Sequence, residues 1–252
     1  MVLQDRVVVV TGASRGLGAA IAAAAADAGA AVVGVDLVPT VPDDRIVMRT
    51  LDVTDDGAWR EFASWLRKEH GACHGLVNNA GITMRSRLGE VTLSDWNRTL
   101  AINVTGPMLA MQALADLMPP GSSIVNIASI AALTGHFAVA YTASKWALRG
   151  LSRAASLELG PRDIRVNTVM PGLIATAMTA DVPAAVSEAL VTSVPLGRPG
   201  TPADVAAAVR FLLSPESAYL SGLEIAVDGG QTAHGGMKLL SDAVRSAASG
   251  GV

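Results

Sequence analysis

Three observations predict an α/β fold with one doubly wound parallel sheet flanked by helices. Short apolar runs alternate with helix-period segments along the whole chain. The first run, Arg6 to Val10, carries four consecutive valines, which suits a parallel strand covered on both faces. The glycine-rich and polar residues with chemical potential fall at or just after the ends of such runs, the edge at which open α/β sheets bind ligands.

Composition bounds the answer. The chain has 252 residues, half of them hydrophobic and 16% charged, enough apolar material for a substantial core. A formal charge of -3 gives no broad basic field, so nucleic acid is not an expected partner. The lone cysteine, Cys73, reads as a small buried hydrophobe. His70, His74, His136 and His234 show no ligand spacing, so no metal is expected. No signal peptide opens the chain, and the apolar runs read as too short or too interrupted to span a bilayer, so a soluble, cytoplasmic protein with no membrane partner is expected.

The first strand runs into Thr11-Gly12-Ala13-Ser14-Arg15-Gly16-Leu17-Gly18 and a helix over Ala19 to Ala28. A glycine-rich strand-to-helix turn lets the backbone approach a pyrophosphate, with the helix N-terminus supplying donors and positive dipole. The spacing is G-x-x-x-G-x-G, and strand, turn and helix come in the order a dinucleotide site requires. The second strand, Ala31 to Val35, ends at Asp36, a carboxylate placed to accept both hydroxyls of an adenosine ribose and to repel a 2'-phosphate. That favours NAD over NADP; Arg15 cuts the other way, as a cation that could pair with the phosphate.

A weaker third strand, Ile46 to Leu51, ends in Asp52-Val53, and Asp55 to His70 alternates at helical spacing behind a cap at Thr54 or Asp55. Leu76-Val77 enters Asn78-Asn79-Ala80-Gly81, asparagines that either close a turn or brace a strand end beside a cofactor. A long helix is predicted over Ser94 to Met118, with Asn103 inside it as either a satisfied core amide or a holder of water or lysine near the site. After the apolar run Ile124 to Ile127 come Ser129, Tyr141 and Lys145. Tyr141 and Lys145 are four apart and share a helix face. A phenol of pKa near ~10 beside a fixed ammonium is shifted toward working pH, and a serine hydroxyl can hold the oxygen being protonated. That helix stops at Gly160-Pro161.

The remaining predicted elements are a strand at Arg165 to Met170 ending in Pro171-Gly172, a proline-punctuated lid over about 173–199, and a helix at Pro202 to Leu213 capped by Thr201. A last strand spans Gly222 to Val227, and the tail after Ser246 is expected to fray. With no repeat or linker, residues 1–252 read as one domain.

The turn Thr11-Gly12-x-x-x-Gly16-x-Gly18, Asn78-Asn79-Ala80-Gly81, Asn103, Ser129, Tyr141-x-x-x-Lys145 and Pro171-Gly172, taken in order, resemble the short-chain dehydrogenase/reductase family, whose fold is a single Rossmann-type sheet. The resemblance covers almost everything from Arg6 to Gly230. It implies Tyr141 as catalytic acid/base and Lys145 as the residue that binds the nicotinamide ribose and lowers the tyrosine pKa. Ser129 would orient the substrate oxygen and Asn103 would support the proton relay. Asp52 and Val53 match adenine contacts, and Thr176 matches the position that contacts the carboxamide. The implied cofactor surface is completed by Gly12, Ser14, Arg15, Gly16, Leu17, Gly18, Asp36, Leu37, Asn79, Ala80, Gly81, Pro171, Gly172 and Ile174. Leu51-Asp52-Val53-Thr54, Lys145-Trp146 and Met178-Thr179-Ala180 are similar to bacterial 3α/20β-hydroxysteroid dehydrogenases.

The implied activity is NAD(H)-dependent interconversion of a secondary alcohol and a ketone, on a hydrophobic cyclic or steroid-like substrate. The alternatives are an NADPH-dependent 3-oxoacyl thioester reductase and a non-catalytic dinucleotide sensor, the latter disfavoured by the presence of both Tyr141 and Lys145. Ser129 and Tyr141 stand twelve residues apart, one fewer than the family's common spacing, which shortens the loop forming one pocket wall. Apolar residues on the two long helices, including Met108, Met111, Trp146 and Leu148, together with the family's habit, predict a homotetramer.

Overall fold

The structure is a computed structural model and describes residues 1–40, 43–176 and 184–249. Seven parallel strands form one sheet: β1 (Val7–Thr11), β2 (Ala31–Asp36), β3 (Ile46–Thr50), β4 (Gly75–Asn78), β5 (Ser123–Ile127), β6 (Arg165–Pro171) and β7 (Glu224–Val227), in the order β3-β2-β1-β4-β5-β6-β7. Sequence order reverses direction between β1 and β4, and the crevice above that switch point is where such sheets take ligands.

The strands β1, β4, β5 and β6 bury both faces, because the crossovers lay helices on either side, while the edge strands β3 and β7 are only partly covered. Along β1, Val8 and Val10 pack with α1 (Gly16–Asp27), while Val7 and Val9 pack with α2 (Asp56–His70) on the opposite face. The fully buried Trp59 anchors that second layer, its indole Nε1–H donating to the Val53 carbonyl at 3.0 Å. Asp55 caps α2 by accepting from the amide of Ala58. Cys73 is buried, and burial pushes its thiol up to about 12, so it behaves as a small core residue.

The helix expected over Ser94 to Met118 is present as one continuous run, Leu93–Leu117, but it is not regular. α3 (Leu93–Leu100) passes through a π-helical turn at Ala101–Thr105 into α4 (Gly106–Leu114), and a 3₁₀ turn follows at Ala115–Leu117. The extra residue in the π turn carries Asn103 in the middle of the run, and Pro107 then restarts a regular helix. The same run, Leu93–Leu117, corrects a second expectation, since by length and mean hydropathy (1.2) it is apolar enough to cross a bilayer. Here Ala110, Met111, Leu114 and Leu117 are spent on the sheet, where they lie in the core with Trp59 and Leu76.

α5 (Val139–Leu159) carries Tyr141 and Lys145 and buries Leu148 against Ala132 and Met170. Met111 and Leu148, read from sequence as surplus apolar surface, are therefore core residues; Trp146, 46% exposed, is surface.

Within the segment expected to be a lid, Ile174 pairs with Gly200 in an isolated parallel bridge and α6 (Ala184–Thr192) forms a regular helix. Residues 177–183, and with them Met178-Thr179-Ala180, lie outside the described residues. α7 (Pro202–Leu213) starts on a full capping box between Thr201 and Asp204. Past β7, α8 (Met237–Ser249) runs to Ser249, and residues 250–252 of the tail expected to fray lie outside the described residues.

Candidate active site

The glycine turn is built by backbone constraint. Gly12 and Gly16 have φ of +65° and +57°, conformations that side chains rarely adopt. A Cβ on Gly18 would overlap the Gly12 carbonyl oxygen and stand 2.5 Å from Asn79 Nδ2, so turn and strand end interlock only through glycine. Asn79 locks the pair by donating to the carbonyls of Thr11 (3.0 Å) and Gly12 (3.2 Å). Thr11 Oγ1 returns the contact by accepting from the amides of Asn79 (3.0 Å) and Ala80 (2.9 Å). The asparagine thus does more than close a turn; it fixes β4 to β1 at the switch point.

α1 begins with no side-chain cap at Arg15 and no acidic residue in its first turn. A Cβ on Gly16 would meet nothing within 4 Å. A helix start with no side-chain cap and open space at Gly16 fits a pyrophosphate.

At the end of β2, Asp36 Oδ2 accepts from the Ser14 amide at 3.1 Å. Ser14 Oγ donates to the Val38 carbonyl (3.2 Å) and accepts from the Thr40 amide (3.1 Å), while Thr40 Oγ1 donates to the Ser14 carbonyl (3.0 Å). All the polar groups of Ser14 are therefore committed to segment 36–40, which sequence reasoning did not foresee. Arg15 and Leu37 are exposed beside them. Asp52 Oδ1 accepts from the amide and hydroxyl of Thr54 at 2.9 and 2.8 Å, and Val53 packs against Gly106.

Ser129 lies just past β5, its Oγ accepting from the Ala131 amide at 3.1 Å, and Tyr141 stands in the first turn of α5 with the Ser129 hydroxyl near enough to act on its phenol. Burial pushes the phenol above its ordinary value, and the Ser129 hydroxyl opposes that rise. The expected net lowering of Tyr141 by Lys145 is thus not what this geometry produces. The ammonium stands 5.7 Å from the phenol ring centroid, and burial pulls its own pKa down to about 8. Nζ donates instead to the Ile127 carbonyl at 2.8 Å.

Asn103 Oδ1 accepts from the Ile82 amide (2.9 Å), and Nδ2 donates to the Ile82 carbonyl (2.9 Å) and to Ser144 Oγ (2.9 Å). Ser144 Oγ in turn donates to the Tyr141 carbonyl at 2.7 Å. The amide is satisfied and also close to the site, because a Cβ on Gly81 would stand 3.2 Å from Asn103 Oδ1 and 3.6 Å from Lys145 Nζ. Beneath it runs a second polar chain that the sequence reading missed, Asn78 Nδ2 to Asn126 Oδ1 (2.8 Å) and Asn126 Nδ2 to Ser152 Oγ (2.8 Å). Asn126 inside an apolar strand was its only signal in the sequence. Gly172 closes the edge at β6, its amide donating to Val227 at 3.0 Å and its Cα so near Asp228 that a Cβ would stand 2.7 Å from the aspartate Cβ. Ile174 is buried and Thr176 follows it on the same stretch.

A hydroxyl pair, a buried ammonium and an anion-ready turn along one sheet edge can together move a proton beside a dinucleotide. Residues 12–232 match a family described as Enoyl-(Acyl carrier protein) reductase. The chain belongs to the short-chain dehydrogenase/reductase family. It is 36% identical to trans-4-hydroxycyclohexanecarboxylate dehydrogenase of Sinomonas cyclohexanicum, over 95% of this chain and 96% of that one. It is 38% identical to the 3-alpha-(or 20-beta)-hydroxysteroid dehydrogenase of Mycobacterium tuberculosis, over 92% and 91% of the two chains. Among solved structures, a blue fluorescent protein from a metagenomic library, in complex with NADPH, superposes with a TM-score of 0.85 at 36% identity, covering 92% of this chain and all of that one. As a member of this family the protein is an NAD(P)-dependent oxidoreductase acting on CH–OH groups.

Proposed function

We propose that this short-chain dehydrogenase/reductase interconverts a secondary alcohol and a ketone on a hydrophobic cyclic substrate, steroid-like in its upper size range, with NAD(H) as cofactor. The observation that carries the reading is the Ser129–Tyr141 hydroxyl pair with Lys145 one helical turn on, at the sheet edge that also holds the glycine turn. Two relatives named for alcohols on carbocycles support the substrate class. Asp36, held toward the turn by Ser14, supports NAD.

The uncapped amides after Arg15 would hold the pyrophosphate, Asp36 the adenosine ribose, Asp52 and Val53 the adenine, and Lys145 the nicotinamide ribose. Thr176 and Ile174 would face the carboxamide. When bound, the nicotinamide supplies or accepts the hydride. In oxidation Tyr141 takes the hydroxyl proton, with Ser129 holding the same oxygen; in reduction the phenol returns it. Asn103 acts through Ile82 and Ser144, fixing the backbone on which Tyr141 stands.

NADPH-dependent reduction of a 3-oxoacyl thioester is a second reading, favoured by the exposed Arg15 at the turn. A turnover screen with NADH and NADPH over cyclic, steroid, aliphatic and thioester ketones separates the two. Tyr141→Phe should abolish turnover while cofactor affinity stays near wild type; substantial residual activity removes Tyr141 from the mechanism.

The same reading takes residues 1–252 as one domain, working in the cytoplasm as a homotetramer. Exposed Trp146 and Leu157 on α5 support assembly, and a monomeric mass by light scattering at micromolar concentration would count against it.

A further inference from the structure

Trp59 is fully buried in α2, yet its one polar atom is turned to the segment that follows β3. Nε1–H donates to the Val53 carbonyl at 3.0 Å. The amide at the other end of the same peptide unit, from Thr54, donates to Asp52 Oδ1 at 2.9 Å. That peptide is therefore fixed at both ends. Its neighbours are pinned as well, the Leu51 amide donating to the Asp36 carbonyl at 2.9 Å and the Asp55 amide to the Asp52 carbonyl at 3.0 Å. Gly106, at the start of α4, closes on Val53 from a second helix. A Cβ built there would stand 3.1 Å from Val53 Cγ2 and 3.2 Å from the carbonyl oxygen that Trp59 holds.

Two polar groups of the segment are left over. Among the described residues nothing accepts from the Val53 amide, and Asp52 Oδ2 receives no hydrogen bond, both of the aspartate's bonds falling on Oδ1. One free donor and one free acceptor in adjacent residues match the amidine edge of adenine, whose N1 accepts and whose N6 amine donates. Hypoxanthine presents the reverse, N1–H as donor and O6 as acceptor. A site built to bond the first edge discriminates against the second, because its own polar groups are then left unpaired.

We propose that Trp59 is a positioning residue for the base of the cofactor: its indole N–H, with Gly106 as the opposing wall, sets the Val53 peptide so that the dinucleotide is selected for adenine. Trp59 touches no ligand in this role and acts through Val53. Without the indole donor the Val53 carbonyl loses its partner, and the peptide turns to find another. The assignment rests on the reading above that Asp52 and Val53 seat the adenine.

Fluorescence titration without substrate tests it, with NADH and its deamino analogue, in which hypoxanthine replaces adenine, as the two probes. Wild type should bind NADH about tenfold more tightly than the analogue. Trp59→Phe keeps a ring against Phe62, 5.8 Å away between centroids, and removes the N–H. Gly106→Ala adds a methyl group to which Val53 must yield, at a φ of -53° that any residue adopts. Each should weaken NADH about three- to tenfold and the analogue by less than about twofold, so that the preference shrinks. A loss of fold alone would weaken both dinucleotides equally, and that result overturns the proposal. So does a preference that survives Trp59→Phe or, should that variant not fold, one that survives Gly106→Ala. A wild type that binds the two dinucleotides equally removes Asp52 and Val53 from the adenine seat, and this assignment falls with that reading.

Discussion

Lys145 Nζ donates to the Ile127 carbonyl at 2.8 Å, tying the first turns of α5 to the end of β5 while keeping a cation out of water. Burial lowers its pKa from 10.5 to about 8, which costs the folded state at any pH where the amine must stay charged. Between about 8 and 10.5 the unfolded chain holds a proton that the folded one has released, so stability rises with pH across that window. Against Lys145→Met, the cofactor-free wild type should gain about 3 kcal/mol between those limits. Urea midpoints measured at several pH values check it, and a constant difference between the two proteins would show that the ammonium is not desolvated.

The tyrosine experiences the opposite pulls. Burial raises its pKa and the Ser129 hydroxyl lowers it. Alcohol oxidation needs the phenolate, so kcat/KM should climb with pH as Tyr141 loses its proton. Ser129→Ala removes the lowering influence, and its inflection should move to higher pH, with a fall in kcat of about 10²-fold or more from lost orientation. A pH profile of kcat/KM decides the matter; an inflection that stays in place assigns the titration to another group.

Two glycines of the turn make contrasting predictions. Gly18→Ala drives a Cβ into the Gly12 carbonyl and toward Asn79, so β1, β4 and α1 cannot keep their present contact. Melting temperature and NADH affinity should fall together. Gly16→Ala meets no atom within 4 Å and pays mainly for its φ of +57°, about 1–2 kcal/mol. Its larger effect should be on NADH affinity, measured by fluorescence titration, because the new methyl group occupies the open side that a pyrophosphate would approach.

Much of this was legible in the sequence, because strand ends and glycine turns are local. Asp36, Asn79, Ser129 and Pro171-Gly172 announce themselves by following an apolar run, and the sheet edge collects them. Helix spacing placed Lys145 beside Tyr141. What periodicity missed is what depends on distant partners. The π turn at Asn103 arises from bonds to Ile82 and Ser144, and no helical pattern encodes it. Whether Met111 and Leu148 face the core is set by where the sheet lies. The sign of the Tyr141 shift depends on burial, which only the folded chain sets.

Cofactor choice tests the longest-range of these arrangements. Asp36 uses Oδ2 to hold the Ser14 amide, which leaves Oδ1 for the ribose hydroxyls. A hydrogen bond to a charged group contributes about 1.5–3 kcal/mol, and repulsion of a 2'-phosphate adds to it. Wild type should therefore prefer NADH over NADPH by at least ~10-fold, since ~1.4 kcal/mol is one decade. Asp36→Ala should narrow or reverse that preference, with Arg15 then free to favour the phosphate. Thr40 supplies a subtler handle, because its hydroxyl latches segment 38–40 onto the Ser14 carbonyl at 3.0 Å and so steadies the amide that aims Asp36. Thr40→Val keeps the amide bond to Ser14 Oγ but loses the latch, and should weaken NADH binding about two- to tenfold while leaving NADPH nearly unchanged. Thr40→Ser should restore it. Dissociation constants from fluorescence titration of both cofactors give the answer without any substrate. If wild type binds NADPH more tightly, Arg15 outweighs Asp36 and the thioester-reductase reading moves ahead; if only the Thr40 variants are silent, Asp36 holds its aim without the latch.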